Sequence, residues 1–180
     1  MRPPFTFIFV RQSFGFGALV LCAGFTGPAQ ASGFIDDTTA NIESRTVYFN
    51  RDFRDGHTSN EQGASKREES AQAFILNLQS GFTEGTLGLG VDALGMAGFK
   101  LDSSPDSSNS GLLPSSGSNP RGSADEYTKL GLTAKVRVSQ SILKYGALLP
   151  DVPLLKYNDG RLLPTMFNGA MLTSREVKDL

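Results

Sequence analysis

Basic side chains are the residues of this sequence with the clearest potential for chemistry. Along residues 127–140 they share one alternate-residue parity, whereas the opposite parity is apolar from Leu130 to Val138. Successive side chains of a β-strand point to opposite faces, so cations that share a parity line one wall. A row of cations on a wall attracts anions. The track predicted from this spacing comprises Lys129, Lys135 and Arg137, together with Arg45, Arg51 and Arg67 from two earlier stretches.

Spacing alone leaves two interpretations of this track open. In the first, the six cations guide anionic or carboxylate-bearing solutes along the wall. In the second, they belong to an ordinary polar barrel interior whose charges are balanced by carboxylates of the loops. The chain as a whole has a formal net charge of −1, which gives no signature of nucleic-acid binding.

The usual catalytic and metal-binding constellations do not occur in this sequence. His57 is the single histidine and lies in a polar stretch, where a histidine-based triad would have no fixed neighbours. Cys22 is the single cysteine and lies in a predicted leader, so the mature chain has no thiol for a transition metal. A Gly-x-x-Gly-x-Gly pattern at residues 85–90 is followed by no helix and does not predict a phosphate loop. We therefore predict no enzyme activity, no metal and no cofactor.

The elements that must position the track are long β-strands. Residues 85–101 alternate between an apolar face and a face that carries Asp92 and Lys100. This stretch exceeds the roughly 9 to 11 residues that cross a bilayer at a tilt, whereas strands of soluble domains average about 5 or 6. Further strands are predicted near residues 40–50, 70–82, 125–140 and 142–149.

The connections between these strands alternate in length. Long connections are predicted at 51–69, 102–124 and 150–172, and short turns lie between them. The first is a polar solvent loop, and the serine, proline, glycine and asparagine content of the second predicts a flexible, exposed segment. This alternation is typical of transmembrane β-barrels. A lysine or arginine on the lipid face costs about 2 to 4 kcal/mol at the midplane. The charged residues that avoid the apolar parity are Asp92, Lys100, Lys129, Lys135 and Arg137. Gly88, Gly90 and Gly98 on the inner face either leave room for a plug loop or relieve crowding in a curved sheet.

Residues 1–31 have the features of a secretory signal peptide. Arg2 and Arg11 accompany a short apolar run at residues 14–25, and a small-x-small pattern ends at Ala31 before Ser32. The run falls short of the roughly 20 residues of a spanning helix, although a hydrophobic anchor is the alternative. Loss of the leader would leave 15 basic and 18 acidic residues. We expect an exported chain that resides in the outer membrane.

Five blocks of the sequence carry a resemblance to a known family. They are residues 48–52, 80–102 (SGFTEGTLGLGVDALGMAGFKLD), 125–139 (DEYTKLGLTAKVRVS), 143–150 and 160–165. In order and spacing they are similar to the N-terminal part of the OprD family of outer-membrane porins. The resemblance implies a barrel of roughly 16–18 strands with substrate-selective passive uptake of small carboxylate-bearing solutes, amino acids among them.

The resemblance also implies roles for particular residues. It makes Arg51 and Arg67 the best candidates for a basic ladder, followed by Lys135 and Arg137. It also implies an inward-folding third external loop that narrows the channel. The residues of that loop are Tyr157, Arg161, Phe167 and Asn168.

About five antiparallel strands cannot close a barrel of the large porin type. The fold class is therefore predicted as all-β, the N-terminal segment of a transmembrane β-barrel, with 32–180 as a partial barrel that this chain alone cannot complete. We expect a truncated chain or a fragment of a longer porin. The partners of that parent would be outer-membrane lipid, small carboxylate-bearing solutes and the barrel-assembly machinery. An exported β-sheet binding or adhesion module and a non-functional fragment are the alternatives.

Overall fold

The computed structural model describes residues 6–15, 32–53, 66–117 and 122–176. Alternating side chains and turn residues divide these segments into one short helix and nine strands. The elements are β1 (Thr6–Gly15), α1 (Ser32–Asp36), β2 (Thr39–Asp52), β3 (Lys66–Gln79), β4 (Leu87–Ser103), β5 (Glu126–Val138), β6 (Ser141–Leu148), β7 (Asp151–Val152), β8 (Leu155–Lys156) and β9 (Phe167–Ser174). Within those residues, no helix has the length and apolar character needed to cross a membrane.

Seven of the described strands form one antiparallel sheet. Their order is β1-β2-β3-β4-β5-β6-β9, and β7 pairs with β8 in a separate small hairpin. The all-β, antiparallel architecture predicted from the alternation is confirmed, with β2 to β6 as its central strands. The short β3–β4 turn (residues 80–86) and the two-residue β5–β6 turn lie at one end of the sheet, which we call the turn end. The β4–β5 loop (residues 104–125) and the β6–β9 loop (residues 149–166) lie at the other, the loop end.

Two strands of the seven-stranded sheet lie where the sequence predicted none, and so do the two short strands of the β7–β8 hairpin, which fall in the loop predicted at 150–172. Strand β9 pairs with β6 from Leu148↔Phe167 to Ser141↔Ser174, so Phe167 and Asn168 belong to a strand and not to the constricting loop. The reason is that β6 would otherwise expose a row of unpaired backbone groups, whereas the small residues of this stretch give only a weak alternation. Strand β1 lies inside the predicted leader and pairs along the edge of β2, from Thr6↔Asn50 to Gly15↔Asn41.

The two faces of the sheet differ as the alternation predicts. One face, which we call the outer face, exposes large apolar side chains, and Leu130 is 74% exposed. The outer face also carries Phe74, Leu76, Leu78, Leu87, Leu89, Val91, Phe99, Leu101, Leu132 and Val138. Exposed apolar side chains in a continuous band suit the hydrocarbon of a bilayer and not water.

The opposite, inner face carries the core. Buried side chains of β2, β3 and β4, such as Val47, Ile75 and Met96, pack against two leucine pairs of the long loops. These pairs are Leu112–Leu113 in the β4–β5 loop and Leu162–Leu163 in the β6–β9 loop. In the part of the β4–β5 loop that the structure describes, the leucine pair is buried against the wall, where the serine and glycine content predicts an exposed segment.

Candidate channel-lining site

The inner face carries all six residues of the predicted basic track. The strand registers place them on the parity of the buried side chains, opposite to the apolar outer face. Within strands β2 to β6, the inner parity holds eight basic and three acidic side chains. The basic ones are Arg45, Arg51, Arg67, Lys100, Lys129, Lys135, Arg137 and Lys144, and the acidic ones are Glu43, Glu69 and Asp92. The wall therefore has an excess of positive charge.

Arg51 and Arg67 form a pair of cations at the loop end. They are directly opposite each other in the register of β2 and β3. The guanidinium carbons lie 4.8 Å and 5.9 Å from the centre of the Phe53 ring, a distance at which an aromatic face attracts a cation. Arg67 Nη1 also donates a hydrogen bond of 2.6 Å to the carbonyl oxygen of Asn109 in the β4–β5 loop.

Arg45 fastens the β6–β9 loop to the middle of the wall. Its Nη2 lies 2.7 Å from Glu43 Oε1 and 2.8 Å from Asp159 Oδ1. Its Nη1 donates to the carbonyl oxygen of Arg161 at 3.1 Å. The side chain is almost fully buried, and a buried arginine needs such partners for its several donors. Arg45 thus holds the loop inward and offers little of its charge to a passing solute.

The β6–β9 loop lies over the inner face, where sequence reasoning expected a constriction. Tyr157 lines a hollow between the loop and the wall, and Leu162 is fully buried. Gly98 makes the close approach possible, because a methyl group there would lie 2.5 Å from Tyr127 Cε1 and 3.0 Å from Leu162 Cδ2. Lys129 Nζ donates to the carbonyl oxygen of Pro164 at 3.4 Å.

Glu69 holds the β4–β5 loop and was missed by sequence reasoning. Its fully buried carboxylate accepts hydrogen bonds from the Ser110 amide nitrogen at 2.9 Å and from the hydroxyls of Ser110 and Ser123. Ser103 of β4 donates to the same carboxylate at 2.9 Å. The serine-rich stretch of the β4–β5 loop could have indicated a buried carboxylate partner, since serine hydroxyls supply the donors that a buried carboxylate requires.

A charged cluster lies near the turn end. Asp92 Oδ1 is 2.6 Å from Lys135 Nζ, and Asp92 Oδ2 is 3.2 Å from Lys144 Nζ. Lys144 was also missed, although it is the one charged residue of β6. The Phe82 ring lies over Lys135 and Arg137, with 4.9 Å and 4.5 Å from its centre to Nζ and Cζ.

The inner-face glycines make room for inward-folded segments. A methyl group at Gly90 would lie 2.7 Å from the carbonyl oxygen of Gly81, and one at Gly88 would lie 3.1 Å from Phe82 Cβ. The β3–β4 turn therefore folds across the inner face at the turn end, where these glycines leave room for it. Helix α1 packs there too, because the Gly81 amide donates to the carbonyl oxygen of Phe34 at 2.9 Å. Among the described residues, no group of three or more histidine, cysteine or acidic side chains could hold a metal.

An antiparallel sheet with an apolar outer face, a charged inner face and long loops folded inward is one wall of an outer-membrane porin. The particular family follows from comparison with known proteins. The chain belongs to the OprD family of outer membrane porins, which it matches over residues 32–180. Members of this family are channels of the outer membrane and not enzymes, in agreement with the localisation expected from the sequence.

Individual relatives extend this assignment. The chain is 40% identical over 160 residues to the porin-like protein GalP of Pseudomonas putida, covering 89% of this chain and 37% of GalP. The solved structure of Pseudomonas aeruginosa OccK9 (OpdG) is 51% identical with a TM-score of 0.73, covering 81% of this chain and 36% of that one. Pseudomonas aeruginosa OpdK, solved with vanillate, is 45% identical with a TM-score of 0.67, covering 81% and 34%. The chain thus spans about a third of the length of these relatives.

Proposed function

We propose that this chain forms one wall of a substrate-selective channel for the passive uptake of small carboxylate-bearing solutes, amino acids among them. The observation that carries the proposal is the excess of basic over acidic side chains on the inner parity of β2 to β6. A wall with one predominant sign of charge raises the local concentration of the opposite sign. The solved structure of OpdK with vanillate, a carboxylate, adds support from a relative.

The six track residues have distinct positions in this proposal. Arg51 and Arg67 receive the solute at the loop end, where they lie side by side around Phe53. Lys129 and Arg45 follow along the wall beside the inward loop that carries Tyr157 and Arg161. Lys135 and Arg137 lie at the turn end, where the solute leaves. The complete barrel sits in outer-membrane lipid, and we propose that the barrel-assembly machinery inserts it.

The test requires a closed barrel that contains this wall. All 180 residues are joined to the part of OccK9 that the structural match does not cover, and this fusion is reconstituted in liposomes. Swelling rates are then measured for a small carboxylate and a neutral solute of equal size. We expect faster entry of the carboxylate, and a loss of about two- to threefold in that preference for Arg67→Gln, as expected for one unit charge about 8 Å from the solute in water.

Lys66→Gln provides the matched control for Arg67→Gln. Lys66 is the neighbouring residue, but it lies on the opposite parity, is 55% exposed and pairs with Glu68 at 2.6 Å. Its removal changes the total charge by the same amount without changing the inner face, so the preference should remain. Equal entry of the carboxylate and the neutral solute in the unaltered fusion would contradict the proposal.

A further inference from the structure

Asp92 lies between two lysines of neighbouring strands. The register places Lys135 of β5 directly opposite Lys144 of β6, with both ammonium groups on the inner face. Asp92 of β4 reaches both, at 2.6 Å and 3.2 Å, each oxygen meeting one lysine. Like charges directly opposite each other in a sheet repel, and the carboxylate relieves this repulsion. The group therefore carries one net positive charge in place of two.

The two lysines differ in their access to solute. Lys135 is 5% exposed, and its Nζ also donates to the carbonyl oxygen of Ser80 beneath the Phe82 ring. The Lys144 side chain is 29% exposed. Together with Asp92 it lines a hollow whose other polar groups are those of Asn77, Gln79, Thr133 and Tyr157. A solute that reaches this hollow meets Lys144 and Asp92, whereas Lys135 is covered.

We propose that Asp92 is a specificity-determining residue that weakens the electrostatic attraction between anions and the lysines near the turn end. A channel must bind its solute well enough to admit it and weakly enough to release it. With both lysines unopposed, a carboxylate would be held at the exit. Asp92 partly balances the positive charge of Lys144. Lys144 therefore still attracts the solute, but weakly enough for the solute to leave. This inference rests on the proposed function and deepens it.

Ion selectivity of the closed fusion tests the role of Asp92. All 180 residues joined to the remainder of OccK9 are inserted in a planar bilayer with potassium chloride at different concentrations on the two sides, and the reversal potential gives the anion-to-cation permeability ratio. Asp92→Asn should raise this ratio about fivefold, since one unit charge about 8 Å from the ions acts with opposite sign on anions and cations. Lys144→Gln should lower the ratio, and the double variant should lie close to the unaltered fusion.

Asp106→Asn is the matched control, because Asp106 is exposed in the β4–β5 loop and its loss changes the total charge equally. An Asp92→Asn channel with the ratio of the Asp106→Asn channel would overturn the inference and leave the proposed function standing. An unaltered fusion that does not conduct would overturn the proposed function and the inference with it. If Asp92→Asn yields no folded barrel, Lys144→Gln decides: an unchanged ratio refutes the inference, and a lowered one supports it.

Discussion

Removal of the Glu69 carboxylate should release the β4–β5 loop from the wall. Three hydrogen bonds join this carboxylate to the loop, two from Ser110 and one from Ser123. The loop has a second attachment to the wall through the buried Leu112 and Leu113. Glu69→Ala therefore removes the polar attachment and keeps the apolar one, so the loop should open more often while the sheet stays intact.

The expected magnitude follows from the number and kind of these bonds. A hydrogen bond to a charged group contributes about 1.5 to 3 kcal/mol. Bonds within one network are not additive, and burial of the carboxylate has a cost that its removal recovers. We therefore expect loop docking to weaken by about 3 kcal/mol, or roughly 100-fold in the population of the open loop. Glu69→Gln keeps the size and an acceptor oxygen, so it should weaken docking by about tenfold.

Hydrogen exchange of the backbone amides of residues 107–113 measures the open population. When the loop opens and closes fast relative to exchange, the exchange rate follows the open population. In the closed fusion, this segment of Glu69→Ala should exchange roughly 100-fold faster than in the unaltered protein. Glu126→Ala serves as control, because Glu126 is exposed at the start of β5. Equal rates for Glu69→Ala and the unaltered protein would refute the reasoning.

Three further changes test the packing of the wall in the same fusion. Gly98→Val places side-chain atoms against Tyr127 and Leu162, so single-channel conductance should change as the β6–β9 loop shifts, whereas Gly117→Val, which has open space, should leave it unchanged. At Gly146 the backbone φ is 136°, and a methyl group would lie 2.2 Å from the carbonyl oxygen of Leu132. Gly146→Ala should therefore lower the folded fraction measured on unheated gels. An unchanged folded fraction would show that β6 can relax. Leu132→Lys should destabilise the barrel in lipid by about 2 to 4 kcal/mol in urea unfolding, and Leu155→Lys in the β7–β8 hairpin should not.

The sheet could be predicted from the sequence because its signal is local. Alternation along β4 and β5 separates Leu130 and Leu132 from Lys135 without reference to any other strand, and a bilayer outside with water inside enforces that separation. The parity of Lys129, Lys135 and Arg137 follows from the same rule, whereas Arg51 and Arg67 lie where β2 and β3 extend into the loop predicted at 51–69. Strand β9 was missed because small residues such as Gly169 and Ala170 weaken the alternation, so its partner β6 and not its own pattern identifies it.

The inward folding of the loops could not be derived from the residues in this way, because it depends on contacts between segments far apart in the chain. Glu69 and Ser123 are separated by 54 positions, and Arg45 and Arg161 by 116. Neither partner reveals the other in a single sequence. The same holds for Lys144, which becomes part of the site through Asp92, 52 positions earlier.

The cations of the inner face and the inward-folded segments are joined by direct contacts. Four of the six track residues donate to backbone carbonyl oxygens of inward-folded segments: Arg45, Arg67, Lys129 and Lys135. Of the other two, Arg51 lies against the ring of Phe53, which directly follows β2, and Arg137 lies against the ring of Phe82 in the β3–β4 turn. A backbone carbonyl takes up only part of a full positive charge, so Arg67 and Lys129 can hold a segment in place and still contribute to the field along the wall. The charge of Arg45, by contrast, is balanced by Glu43 and Asp159. In the proposed channel, loss of Arg67 or Lys129 should therefore change both the charge and the width of the passage. For this reason the proposed selectivity for carboxylates has to be measured against a neutral solute of equal size, whose entry depends on the width alone.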